Sequence, residues 1–323
     1  KVQLLVFNNP LAGMWELFTN DDHQSLQFRK SMRAYNNTLS STSLGTTKVP
    51  YQLNDGGTYP FRIKGALYHN HGALVPVEGE RPKFGQIYVH DSMDVDAQIA
   101  LYLNIFSNNS LDGGILADIT ATLQDHNWLV QTYETAREIL KSNSSGTVNL
   151  QLKILDAHNR DSRVYNVLTS DEIGIIIIGD GDEDFDKQDI VIKARGSNDH
   201  PEYPGLTRIL ELNPYYLPLH YLLLLINGEL GWRTAILLRG NDEAIPAYQE
   251  IYRVVTEEDL IYQQWTLNPT TARGVSKHVS LAMWHCYHLF ECVGVQSLLH
   301  YGGRLFQEWG VDAAAVNEQN NLR

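Results

Sequence analysis

The sequence predicts an α+β protein with antiparallel-rich sheets, packed helices and a helical C-terminal segment. Three observations lead there. After Thr58 the chain alternates, with Phe61, Ile63 and Leu67 on one face and Arg62, Lys64 and Tyr68 on the other. That is the period of a half-buried strand. Three β-rich stretches follow between Val148 and Arg195. From Ser280 to Arg323 the apolar spacing becomes helical. The expected organisation is a sheet-plus-helix unit over 1–145, a β-rich unit over 146–240 and a mainly helical segment over 241–323.

Lys1 to Gly57 reads as an irregular opening with one short helix, whose apolar face is Leu26, Phe28 and Met32 through Tyr35. Arg29, Lys30 and Arg33 cluster on that helix. The first strand is followed by a turn-rich break at Pro76–Pro82 and a second strand at Lys83–His90. A helix then begins at Asp91 or Ser92, with Asp94 and Asp96 suited to the dipole of its first turn. Val95, Ile99, Tyr102 and Phe106 supply its stripe. After a break at Asn108–Gly114, a second helical pattern runs from Leu116 to Leu140 with a bend near Asn127-Trp128. The Ser142–Gly146 cluster marks a domain boundary.

The middle region holds strands at Val148–Ile154, at Ile173–Ile178 (an apolar run suited to burial on both faces) and at Asp189–Arg195. Leu206 to Trp232 is aromatic and aliphatic and ends in Asn227-Gly228-Glu229-Leu230-Gly231-Trp232. Val255-Thr256-Glu257-Glu258 has the form of a helix start. Gly294 and Gly302-Gly303 punctuate the helical region that closes the sequence.

The 323 residues carry Asp+Glu 38 against Lys+Arg 25, a formal net charge of -13. General phosphate gripping by the whole surface calls for the opposite sign, which leaves room only for a local basic patch. The longest apolar run, Leu222 to Ile226, is too short to span a bilayer, so no membrane partner is expected. Cys286 and Cys292 lie six positions apart on a helical pattern and point to different sides, which favours a reducing, intracellular compartment. The sequence opens at Lys1 without a signal peptide, and its helical pattern continues to Arg323, so a longer parent chain is expected.

Three clusters invite a metal reading, and each is incomplete. Asp180, Asp182 and Asp184 resemble the start of a calcium loop, but Phe185 replaces the sharp-turn glycine and Val191 the terminal Glu. His69-Asn70-His71 has the spacing of a nuclease histidine pair with a polar centre in place of a hydrophobic one. His285, His288 and Cys292 share one side of a helix without an evident fourth zinc ligand. Gly179-Asp180-Gly181 follows a strand, as a dinucleotide loop would, but its carboxylates repel a pyrophosphate. Phosphate loops and nucleophile elbows are absent from the sequence. No catalytic, cofactor or metal residue is therefore expected.

Several blocks, taken in order, resemble the N-terminal region of Helitron transposon proteins, the rolling-circle replication initiator–helicases. They are Phe28 to Asn36, Ser43-Leu44-Gly45, Phe61 to Gly65, Tyr68-His69 with Gly72-Ala73-Leu74 and Pro76, and Phe84 to Asp91. Asn127-Trp128-Leu129, Arg163 to Asn166 with Asp171-Glu172, and Asp189-Ile190-Val191 follow. The set closes with Pro214-Tyr215-Tyr216, Leu219, Tyr221, Gly228-Glu229, Gly231-Trp232, Arg304 to Gln307, Val311-Asp312-Ala313 and Glu318. Leu225-Ile226 depart from the family's Phe-Pro pair.

The resemblance implies a nuclear protein that helps recognise or position transposon DNA, single-stranded or at transposon ends. Its nuclease and helicase domains would lie beyond Arg323 in the parent chain and would be its other partners. The parent would be an ATP-dependent helicase and nicking endonuclease, with neither active site in these residues. The DNA contact is expected at Arg29, Lys30, Arg33, Tyr35, Arg62, Lys64, Tyr68, Arg81 and Lys83, where cations beside a ring can hold phosphate and stack a base. The competing expectations are an inert remnant of a degraded element, and a metal-dependent enzyme or host-recruited interaction module.

Overall fold

The computed structural model describes residues 10–46, 67–76, 79–89, 95–105, 111–142, 150–154, 174–178, 190–193, 207–232, 236, 279–291 and 297–322. Where the sequence suggested one short helix, the described chain opens with two: α1, Ala12–Thr19, and α2, His23–Leu39. Met14 and Phe18 give α1 its buried face. In α2 the Asp22 carboxylate accepts from the Ser25 amide at 2.9 Å, satisfying an amide that the helix cannot. Phe28, Met32, Tyr35 and Leu39 recur at helical spacing and are buried. Leu26, expected on that face, is 51% exposed because it lies off the stripe.

The β-strand expected at Lys83–His90 is instead a turn leading into one helical turn, α3, Gln86–Val89. Phe84 reverses the chain at φ 54, and the Gln86 side chain accepts from the Lys83 amide at 3.0 Å. Ile87, Tyr88 and Val89 are buried consecutively, which a strand with one solvated face would not allow. Helix α4, Val95–Ile105, buries Ile99 and Tyr102.

The long helical pattern is bent as expected. Helix α5, Gly113–His126, is capped by Asp112, whose carboxylate accepts from Gly114 and Ile115. It stops at Asn127, and α6, Trp128–Ser142, begins there. The Asn127 Oδ1 accepts from the amides of Leu129 and Val130 at 3.0 and 3.2 Å, so one side chain starts α6 where α5 ends.

Two antiparallel three-stranded sheets follow from the pairing. In one, β2 (Leu67–His71) lies between β1 (Ser43–Thr46) and β6 (Thr207–Leu210). Its register sets Ser43 opposite Asn70 and His69 opposite Ile209. In the other, β3 (Leu150–Ile154) lies between β4 (Gly174–Ile178) and β5 (Ile190–Lys193). The expected half-exposed face of the first strand is not seen at its described end. As a central strand covered on both sides, β2 buries Tyr68 as well as His69 and His71. Residues 61–66 lie outside the described chain.

Three helices close the described chain: α7, Leu281–Leu289, α8, Leu298–Tyr301, and α9, Gly303–Asn321. They bear out the helical C-terminal segment. The stripe of α9 is Leu305, Trp309, Asp312, Ala313 and Val316.

Several of these elements converge on an irregular stretch. From Glu211 to Trp232 the chain makes successive turns, yet Tyr215, Tyr216, Leu219, Tyr221 and Leu222 through Ile226 are buried. Apolar content drives the stretch inside, but its peptide groups still need partners there. Residues distant in sequence supply several. Asn36 Nδ2 donates to the His220 carbonyl at 2.8 Å, and its Oδ1 accepts from the Leu223 amide at 3.3 Å. Asn127 Nδ2 donates to the Ile226 carbonyl at 3.1 Å, and the Trp128 indole donates to the Gly228 carbonyl at 2.9 Å.

Gly228 is required at the close of this stretch. Its φ is +76°, and a Cβ there would meet Trp128 Nε1 at 2.8 Å. Gly228→Ala is expected to cost about 2–4 kcal/mol from backbone strain and the displaced indole. Chemical denaturation checks this; an unchanged midpoint would show that the Trp128 contact is dispensable.

Candidate functional site

Polar side chains converge in the described core where β2, the 211–232 stretch and α9 meet. Asp312 sits at its centre, 5% exposed. Tyr216 donates its hydroxyl to Asp312 Oδ1 at 2.9 Å, and Tyr221 donates to Oδ2 at 3.2 Å. His69 stacks on Tyr216 with ring centroids 3.7 Å apart, and on its other side meets His220 at 4.3 Å. The His69 Nδ1 lies 2.9 Å from the Tyr216 carbonyl, which can only accept, so Nδ1 carries the hydrogen. The remaining lone pair, on Nε2, faces Asp312 Oδ2 at 3.8 Å.

Burial pushes the Asp312 carboxyl up to about 7, against the pull of the two tyrosine donors, and the nearby Glu308 charge adds to the rise. Burial, with His220 alongside, holds His69 well below its ordinary range. Beside the cluster is a small cleft with a volume of about 10 Å³, lined in part by Glu211, Trp232, His285 and Asp312. A space of that size suits about one water molecule and no organic substrate.

His71, two residues along β2, lies in a separate environment. Its Nδ1 donates to the Gly72 carbonyl at 2.6 Å, and its Nε2 accepts from the Tyr133 hydroxyl at 2.6 Å. Gly85 makes room for it, since a Cβ there would meet His71 Nε2 at 2.7 Å. Both imidazoles of the His69-Asn70-His71 motif are therefore engaged with different partners. On α7, His288 donates to the Trp284 carbonyl at 2.9 Å, and His285 accepts from Asn317 at 2.9 Å. Cys286 is exposed and free; Cys292, Asp180, Asp182 and Asp184 lie outside the described residues. Among the described residues no group of three or more His, Cys, Asp or Glu side chains is placed to hold a metal ion.

The residues expected to touch DNA are dispersed. Tyr35 and Tyr68 are in the core, and the Tyr35 oxygen accepts from the Asp112 amide at 2.7 Å, so neither ring is open to a base. Tyr35 was expected both on the apolar face of its helix and beside the cations at a DNA contact, and Tyr68 on the solvated face of its strand; the stripe of α2 and the coverage of β2 put both in the core. Arg29 bonds the Asn20 carbonyl and pairs with Asp21 at 3.2 Å. Arg33 pairs with Glu308 at 2.6 Å. Lys30, Arg81 and Lys83 are exposed, Lys83 being 3.5 Å from Glu80. Arg62 and Lys64 lie outside the described residues.

The Asp312 cluster was not anticipated as a site. One signal was available: a lone carboxylate occupies the apolar stripe of α9 between Trp309 and Val316, where it must find buried donors. Among the described residues no helix is long and apolar enough to cross a membrane. No protein-family model matches the chain, and no curated protein matches it.

Proposed function

We propose that this chain is a non-catalytic part of a Helitron-like rolling-circle transposition protein, acting in the nucleus, where it assists recognition or positioning of transposon DNA. The observation that carries this reading is where the resembling blocks come together. Asn36, His69 and the Asn127-Trp128 pair come from three separate blocks, and each of these four residues bonds the backbone of the 211–232 stretch, which holds further blocks. Asp312, from the last block, accepts from Tyr216 and Tyr221 of that same stretch. A resemblance confined to short blocks is expected when those blocks jointly build one scaffold. The scaffold role also accounts for the polar residues without a reaction: they satisfy a buried chain.

Contact with DNA falls to the exposed cations. Lys30, Arg81 and Lys83 remain open at the surface, with Arg62 and Lys64 the further candidates from the sequence. The net charge of -13 confines binding to such a patch and makes it salt-sensitive. The test is a fluorescence-anisotropy titration of a single-stranded DNA oligonucleotide at two salt concentrations. It compares wild type with a variant combining Lys30→Ala, Arg81→Ala and Lys83→Ala, and with Arg62→Ala combined with Lys64→Ala. Wild type should bind, and each lost phosphate contact should lower the salt slope by about 0.7 unit. Equal affinity and slope in all three proteins would remove these cations from the interface; no binding at all would favour the inert remnant.

A further inference from the structure

The His69–Asp312 contact brings β2 and α9 together, with two buried acceptor atoms facing each other at 3.8 Å. The His69 Nδ1 hydrogen is committed to the Tyr216 carbonyl, and Nε2 is buried without a hydrogen-bond partner. Asp312 as a carboxylate has acceptors only, and at Oδ2 it would turn one lone pair toward another. At 3.8 Å the two atoms are too far apart to share a hydrogen bond, but one proton on Asp312 removes the negative charge that would otherwise face the His69 lone pair. We propose that His69 and Asp312, facing each other where α9 meets β2, hold one proton between them as an uncharged pair, so that opening this contact exchanges no net proton with mildly acidic solvent.

The surroundings favour an uncharged pair. His220 stacks on His69 from the 211–232 stretch, so a cation on His69 would lie beside another titratable ring. Tyr216 and Tyr221 donate to Asp312 and supply no countercharge. Glu308, one turn earlier on α9, adds a negative field at Asp312, while Arg33 of α2 draws off part of it at 2.6 Å. Glu211 and His285 line the cleft that Asp312 also borders. In the folded protein the proton sits on the aspartic acid. Once exposed, His69 regains its ordinary affinity and takes up a proton as Asp312 releases one. The two changes cancel, consistent with burial raising the aspartate and lowering the histidine.

Two conservative substitutions should unbalance the proton count of the pair in opposite directions. The full chain is unfolded in urea between about pH 5 and about pH 6. In Asp312→Asn, unfolding takes up one extra proton, so its constant should rise about tenfold more per pH unit of acidification than in wild type. In His69→Gln, unfolding releases a proton, so the constant should rise about tenfold less. The double variant should return to the wild-type slope. Parallel slopes in all four proteins would overturn the proposal. A second measurement needs only wild type: nitrogen-15 spectra of labelled histidine should show His69 with hydrogen on Nδ1 and a bare Nε2 near pH 6. A doubly protonated ring there would mean an ion pair and would overturn the proposal even if a variant fails to fold.

Discussion

Acidification from about pH 6.5 to pH 4 is expected to unfold the protein cooperatively. His71, His285 and His288 are buried neutral, and burial holds each down to about 4. The unfolded chain takes up a proton at each as pH falls below the ordinary 6.5, while the folded chain does not. Their contribution is therefore complete above about pH 6.5 and lost as pH falls toward about 4. At about 1.4 kcal/mol per pH unit, each histidine removes roughly 3 kcal/mol over that window, and the three together roughly 10. That is comparable to the whole stability of a typical domain. His220 is lowered by burial too and acts in the same direction. Asp312 acts oppositely, because a carboxyl raised to about 7 gains stability as pH falls, and His69 cancels that gain; burial raises the Glu229 and Glu134 carboxyls too, and they oppose the histidines in the same sense. Circular dichroism and tryptophan fluorescence against pH should trace one transition between about pH 5 and about pH 4. A chain still folded at pH 4 would refute the buried, neutral state of these histidines.

Asn127→Ala should be among the most damaging polar-to-alanine changes. Asn127 is 0% exposed and performs two tasks: it caps α6 and donates to the Ile226 carbonyl. Alanine removes the cap, at about 1 kcal/mol, and leaves a buried carbonyl without this donor, at about 1–3 kcal/mol more. Asn127→Asp separates the tasks. It retains the acceptor for the Leu129 and Val130 amides but opposes the Ile226 carbonyl with a second acceptor, so it should lose at least as much as alanine. Urea midpoints for the two variants provide the measurement, with Asn37→Ala on α2 as a half-buried control expected within about 0.5 kcal/mol of wild type. If Asn127→Ala matches that control, the 211–232 stretch does not depend on this side chain.

Elements with strong local periodicity could be read from the sequence. The α5–α6 pair and its bend followed from apolar spacing interrupted at an asparagine that can cap. The strand around Leu150 followed from apolar alternation and that around Ile175 from a continuous apolar run; with the strand around Ile190, their antiparallel pairing agrees with the expected class. The Lys83–His90 segment was misread because Ile87-Tyr88-Val89 favour strands by propensity. Tertiary burial on every side makes a single helical turn the better fit.

What the sequence determined by itself was where apolar side chains recur, and hence which faces turn inward. The α2 and α9 stripes are examples: their spacing places Tyr35 and Asp312 inside whatever the helices meet. What only the tertiary structure decided was which polar groups meet there. No local pattern couples Asn36 to His220, Asn127 to Ile226 or His69 to Asp312, since each pair is separated by a large part of the chain. Buried peptide groups and a buried carboxyl must find partners, and which side chain supplies them depends on how the folded chain passes through the core.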